Sequence, residues 1–297
     1  MTPNIVSKET QDNLRNRARM LVSCPDQPGI VAAVSRFLFE HEANIVQSDQ
    51  YTIDPEGGMF YIRLEFDLDN LDARREQLEA EFALVAERFS MEWTINRAGR
   101  KKRLAIFVSK EDHALLELLW QWQAGDLEAD ISMVISNHND LRSLVESFGI
   151  IYHHIPVTAE TKADAERRQL ELVVDQVDAV VLARYMQIIS ARFIEHFPGR
   201  IINIHHSFLP AFVGGKPYAQ AYNRGVKIIG ATAHYVTEEL DGGPIIEQDV
   251  QRVSHRDNVD DLKRIGRHIE RIVLARAVSW HVEDRVIVHG NKTVVFN

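Results

Sequence analysis

Along residues 59–68 apolar side chains fall on every second position (Phe60, Ile62, Leu64, Phe66), the spacing of a strand with one face buried. Residues 18–24 predict another strand, 43–53 a third with Gln47, Asp49 and Tyr51 on one face, and 91–95 a fourth. Between them the period lengthens to that of a helix, first at Ile30, Val31, Val34, Phe37 and Leu38, then in the Arg-, Glu-, Leu- and Ala-rich stretch 71–89. Turn residues separate these runs at 25–29 (PDQPG) and 54–58 (DPEGG). The order βαββαβ predicts a ferredoxin-like domain over residues 18–96, an antiparallel sheet with its helices on one face. Residues 1–17 read as a polar lead-in, and 97–103, basic around Gly99, as a linker.

Beyond the linker, strands alternate with helices. Strands are expected at 104–108, 131–135, 150–155, 179–182 and 201–204. The last two lack polar alternation, which implies burial on both faces, as in a parallel sheet. A helix capped by Ser109 carries Leu115, Leu116, Leu119 and Trp120. Further helices are marked by Leu141, Leu144, Val145 and Phe148, by residues 162–174, and by the long apolar stripe of 259–280. A hairpin around His289-Gly290-Asn291 follows. Residues 104–297 are therefore predicted to form an α/β domain with a doubly wound, mostly parallel sheet and ligands at the strands' carboxyl ends.

Composition narrows the partners. At 297 residues the chain has room for both cores. A net charge of −9 leaves no basic surplus for phosphate backbones, so nucleic acid is not expected as a partner. Cys24 is the single cysteine, which excludes a disulfide within the chain and fits a reducing cytoplasm. The polar start lacks a signal peptide's apolar region, and the longest apolar runs are too short to span a bilayer. No membrane partner is expected.

Candidate chemistry gathers at Asn203, His205 and Asp241, which carry the side-chain types that polarise a carbonyl, shuttle a proton and activate water. In an extended segment Asn203 and His205 share one side, whereas His206 points to the other. That divergence argues against His205 and His206 binding one ion, and no metal is expected. Asp241 precedes Gly242-Gly243, where the backbone is free to approach a ligand. Each residue also has a plainer reading: His205 as a packed, hydrogen-bonded side chain, and Asp241 as the first residue of an Asp-Gly turn.

Longer motifs surround these residues. NIHHSFLPAF (203–212), GVKIIGATAHYV (225–236) and ELDGGPIIEQD (239–249) resemble the folate-dependent formyltransferase family. Its Asn-x-His and following Asp fall on Asn203, His205 and Asp241 at the same interval. ARYMQIIS (183–190) resembles the family's loop lining the folate pocket, which implies Arg184, Tyr185, Met186, Gln187 and Ile188, with Gly242 and Gly243, as substrate-binding residues. The first domain, with D-x-P-G after its first strand and Ala43-Asn44-Ile45 opening its second, resembles an ACT domain, a small regulatory module. That resemblance implies an amino-acid effector (glycine inhibiting, methionine activating) at Asp26, Pro28, Gly29 and Asn44, and edge-to-edge pairing into a homo-oligomer.

The acceptor separates two activities. Transferases of the family place a Gly-rich loop after the first strand to hold a substrate phosphate. Here residues 108–113 read VSKEDH, with no glycine and with Glu111 and Asp112 to repel a phosphate. The resemblance then implies that water takes the formyl group. The expected reaction is hydrolysis of 10-formyltetrahydrofolate to formate and tetrahydrofolate, supplying formate for purine synthesis, with folate as substrate and no resident cofactor. Transfer to an unidentified amine is the alternative. Ala219, in KPYAQA (216–221), stands where many hydrolases of the family carry His.

Overall fold

A computed structural model describes residues 14–54, 57–210 and 217–296. Most of the polar lead-in 1–17 lies outside them. The chain divides into two compact units. The first runs to Lys101 and also takes in Glu283–Ile287 and the chain from Val294 on; the second comprises Lys102–Val282 and Val288–Thr293.

The first unit is built from β1 (Arg17–Pro25), α1 (Ile30–Glu40), β2 (Asn44–Thr52), β3 (Met59–Asp67), α2 (Leu71–Phe89) and β4 (Glu92–Arg97). Its sheet has the order β2-β3-β1-β4 and is antiparallel throughout. Alternation decides the faces. Ala18, Met20, Val22 and Cys24 of β1 and Phe60, Ile62, Leu64 and Phe66 of β3 meet Ile30, Val34, Phe37 and Leu38 of α1 and Leu78 and Phe82 of α2. On the opposite face Arg63 is buried, its Nε donating to the Asp284 carbonyl at 2.9 Å and a terminal nitrogen to that of Glu283 at 3.1 Å. Burial pushes the Glu65 carboxyl up, but Arg63 and Arg19 outweigh it and hold it below the usual range.

The second unit contains β5 (Lys102–Val108), α3 (His113–Ala124), β6 (Ala129–Ser136), α4 (Arg142–Ser147), β7 (Ile151–His154), α5 (Lys162–Val173), β8 (Ala179–Leu182), α6 (Ala191–His196), β9 (Ile201–His205), α7 (Pro217–Arg224), β10 (Ile228–Tyr235), β11 (Ile245–Arg252) and α8 (Val259–Val282). Its seven-stranded sheet has the order β11-β10-β9-β8-β5-β6-β7. The pairs from β9 to β7 are parallel, whereas β10 runs antiparallel to both β9 and β11. The hairpin strands Val286–His289 and Lys292–Val295 close the described chain. No described helix is long and apolar enough to cross a membrane.

The expected linker 97–103 is shorter in the structure. Arg97 closes β4, and Lys102 and Arg103 open β5, so only 98–101 remain as a connection. Basic side chains at strand ends are anchored here: Arg103 pairs with Asp178 at 3.2 Å. Ser109 does not cap a helix. α3 begins at His113 after Asp112, and neither the helix nor its approach uses a side-chain cap.

Tyr235 Oη lies 2.9 Å from His281 Nδ1, joining β10 to α8. Full burial, then the nearby charges of Lys102 and Arg200, push His281 down to about 3. The unfolded imidazole titrates near its ordinary value, so below that pH the unfolded chain binds a proton that the native state refuses. Native stability should therefore fall as pH drops from about 6.5 toward 3, by a few kcal/mol on the scale of about 1.4 kcal/mol per pK unit. Melting temperatures across pH 4–7 should slope downward toward acid, and the slope should shrink in His281→Gln.

Candidate active site

Strand order reverses between β5 and β8, and ligands of open α/β sheets bind beyond the carboxyl ends at such a switch. A cavity of about 360 Å³ opens there. Its walls are residues 184–189 after β8, residues 203–206 at the end of β9, His234 on β10, and the loop 236–241.

Asn203 and His205 lie within β9, on one side of the strand as the period of two requires. Asn203 sits opposite His234 in the β9–β10 register, and its Nδ2 is 3.2 Å from His234 Nε2. His234 Nδ1 is 2.9 Å from the Tyr235 carbonyl, an acceptor, so Nδ1 carries the proton and Nε2 accepts from the Asn203 amide. Burial holds His234 below its ordinary range, which keeps that lone pair available at neutral pH. The contact fixes which way the Asn203 amide points and leaves its second N–H for a ligand.

His205 Nδ1 is 3.3 Å from Asp241 Oδ2, and Asp241 Oδ1 is 3.8 Å from His234 Nε2. The His205 contact, opposed by burial, holds the Asp241 carboxyl below its usual range. His205 Nε2 is buried and has no hydrogen-bond partner among the described residues. Asp241 adopts φ 55°, the left-handed region that Asp tolerates better than most residues. His206 leaves this cluster: burial and then Arg184 push it down to about 4, so it is neutral at physiological pH.

The turn after β9 is held from β10. Thr232 Oγ1 donates to the Ser207 carbonyl at 2.9 Å and accepts from Leu209 N at 3.0 Å.

The other expected substrate residues divide. Arg184 (φ 63°), Met186, Gln187 and Ile188 line the cavity, with Met186 and Ile188 exposed at it. Tyr185 lines it too, but its ring packs edge-on against Phe107 at 5.3 Å and its hydroxyl accepts from Gln169 at 2.9 Å, so the side chain belongs to the core. Burial raises that phenol to about 12. Gly242 and Gly243 do not line the cavity. A Cβ on Gly243 would fall 1.9 Å from the Tyr235 carbonyl oxygen, so this glycine serves the close approach of the loop to β10.

Besides His234, two contributions escaped the sequence reading. Ser109 Oγ, buried at the end of β5, donates to Asn137 Oδ1 at 2.7 Å and accepts from Met186 N at 3.0 Å, tethering the 184–189 segment. Glu270, on the buried stripe of α8, accepts from Tyr218 Oη at 2.6 Å and from His113 Nε2 at 2.9 Å, and lies 3.4 Å from Arg184 Nε. Burial pushes Glu270 up, but His113, Arg184 and Tyr218 together outweigh it and keep it below the usual range. Gly266 makes the room: a Cβ there would sit 1.9 Å from Tyr218 Oη. A Glu at helical spacing among Leu262, Ile269 and Val273 was the available signal.

The expected effector residues do not gather within one chain. Asp26 accepts from Thr52 Oγ1 at 3.2 Å, at the last residue of β2, and Gly29 (φ 96°) precedes α1. Asn44 is the first residue of the same strand, about 26 Å away at roughly 3.3 Å per residue. Asp26, Pro28 and Gly29 mark one end of the sheet and Asn44 the other.

Comparison with known proteins follows this division. The formyl transferase family matches residues 102–278 and the ACT domain family residues 18–83. A formyltetrahydrofolate deformylase of Bacillus subtilis (strain 168) is 60% identical over 290 residues, covering 97% of each chain. One from Synechocystis sp. is 53% identical over 280 residues, covering 94% of this chain and 98% of that protein. The crystal structure of a formyltetrahydrofolate deformylase from Pseudomonas syringae pv. tomato superposes with a TM-score of 0.90 at 49% identity, covering 99% of this chain and 100% of the other.

Proposed function

The chain belongs to the formyltetrahydrofolate deformylase family, and from that premise we propose how its site divides the work of hydrolysing 10-formyltetrahydrofolate to tetrahydrofolate and formate. Water adds to the formyl carbon, the carbonyl oxygen becomes an oxyanion, and the bond to N10 then breaks as N10 takes a proton. The free N–H of Asn203 donates to the formyl oxygen. His205, held through Nδ1 by Asp241, presents Nε2 to the oxyanion and carries the proton to N10. Asp241 keeps Oδ1 for the attacking water, which it positions and deprotonates. The observation that carries this reading is the buried His205 Nε2, which has no hydrogen-bond partner among the described residues although its ring is fixed by Asp241. A buried polar atom of that kind is costly unless a ligand satisfies it.

Folate is here the substrate, and the scheme uses no resident cofactor or metal. The exposed Met186 and Ile188 offer apolar surface to the folate, and Arg184 stands beside them. The ACT domain fits control by a small amino acid, glycine or methionine, at the Asp26–Gly29 turn, where a Gly-bearing helix start offers backbone N–H groups to a carboxylate. The edge strand β2 is exposed at most of its positions, which supports edge-to-edge pairing of copies into a homo-oligomer. A cytoplasmic enzyme of this kind would supply formate for purine synthesis.

Incubating the protein with 10-formyltetrahydrofolate and no amine acceptor should release formate stoichiometrically with tetrahydrofolate. Asn203→Ala and His205→Ala should each slow turnover by about 10²- to 10³-fold, the scale of losing one oxyanion donor. Absence of formate would overturn the reaction, and near-normal turnover by His205→Ala would overturn its role.

A further inference from the structure

A second cavity, of about 320 Å³, adjoins the first, and Arg184 and His206 line both. Its other walls include Glu111, Tyr218, Ala219, Lys263, Arg267 and Glu270. The proposed chemistry leaves two products together: tetrahydrofolate in the first cavity, and formate among Asn203, His205 and Asp241. Formate is an anion, and the Asp241 carboxylate repels it.

Across Arg184 and His206 the wall carries cationic side chains that can meet an anion, Arg184, Lys263 and Arg267. Both carboxylates there are already engaged, Glu270 by Tyr218, His113 and Arg184, and Glu111 by Arg267 at 2.9 Å. Of the cations of this wall, Lys263 pairs in turn with Asp260 at 3.0 Å. Arg184 Nε is buried and makes no hydrogen bond among the described residues. Ala219, a small side chain on α7, is part of the same wall. At about 30 Å³ per water in the liquid, the cavity holds a formate with much of its hydration.

We propose that this second cavity is a binding site for formate, through which the carboxylate product leaves while tetrahydrofolate still occupies the first. The inference rests on the hydrolysis proposed above. Formate released first should inhibit noncompetitively against 10-formyltetrahydrofolate, and tetrahydrofolate competitively. Arg267→Glu, a half-exposed position, should raise the formate inhibition constant relative to the folate KM by about fivefold, the upper end of what one exposed charge contributes. Competitive inhibition by formate, or an unchanged ratio in Arg267→Glu, would overturn the site. Binding of 13C-formate to the protein saturated with tetrahydrofolate, followed by NMR line broadening, decides the matter apart from turnover. Broadening that weakens in Arg267→Glu supports the site even if no formate is produced from the formyl folate, and broadening absent from the wild type or equal in the variant removes it.

Discussion

Asp241→Asn should abolish most of the deformylation, cutting turnover by about 10³- to 10⁴-fold, the upper range for removing a general base. The two side chains are nearly the same shape, and Asn tolerates the left-handed backbone that Asp241 occupies at φ 55°. The loop should therefore keep its course, and the loss should be chemical. Two functions go together: the anion that accepts from His205 Nδ1 at 3.3 Å, and the oxygen assigned to the attacking water. His205 holds the carboxyl below its usual range against the opposing effect of burial. Asp241 is therefore ionised across neutral pH, and its protonation should remove activity only below about pH 4, the ordinary value from which it is lowered. Formate release by the variant, measured in a single turnover beside a melting curve, checks both points. Turnover within about tenfold of wild type, well short of the general-base range, would overturn the assignment to Asp241.

The parts of this site that were legible in the sequence are those where local pattern and chemistry coincide. Asn203 and His205 stand two apart in a strand, so a shared side follows from the pleat. The alternation of Phe60, Ile62, Leu64 and Phe66 places β3 and its core face directly. What escaped depends on contacts distant in sequence. His234 acts only because β10 runs antiparallel beside β9 and sets it opposite Asn203. Ser109 looks like a helix cap when read locally, but tertiary packing turns its hydroxyl to Asn137 and the Met186 amide. β11 shows little periodicity because it is an edge strand with most of its positions exposed or half-buried. α6 is too short for a helical period to show, with Phe193 its one buried residue. Asn44 and Asp26 were grouped through the resemblance to an ACT domain, and the β2 strand that lies between them separates them.

Glu270→Ala should be the most damaging substitution for the fold of the second unit, at about 3–5 kcal/mol, the scale for breaking a buried ionic cluster by removing one partner. The carboxylate is 1% exposed, accepts from Tyr218 on α7 and His113 on α3, and is the counter-ion of Arg184 after β8 at 3.4 Å. Without it these donors are left buried against one another, and the charge of Arg184 loses its counter-ion. A loss of that size should lower the melting temperature by roughly 10 °C, since each kcal/mol shifts a unit of this size by about 2–4 °C. Glu270→Gln should recover part of the loss, because a carboxamide oxygen still accepts from Tyr218 but its NH₂ faces another donor. The deficit should also depend on pH. The folded-state value of Glu270 lies below its ordinary one, so its contribution is complete above the unfolded value and is lost as pH falls through the folded one. The gap between wild type and Glu270→Ala should thus be widest near neutrality and narrow toward acid. Arg184 also lines the substrate cavity at φ 63°, so the variant's KM for 10-formyltetrahydrofolate should rise as that segment loses its anchor. A melting temperature within about 2 °C of wild type at pH 7, less than 1 kcal/mol on this scale, would show that the cluster does not hold these elements together.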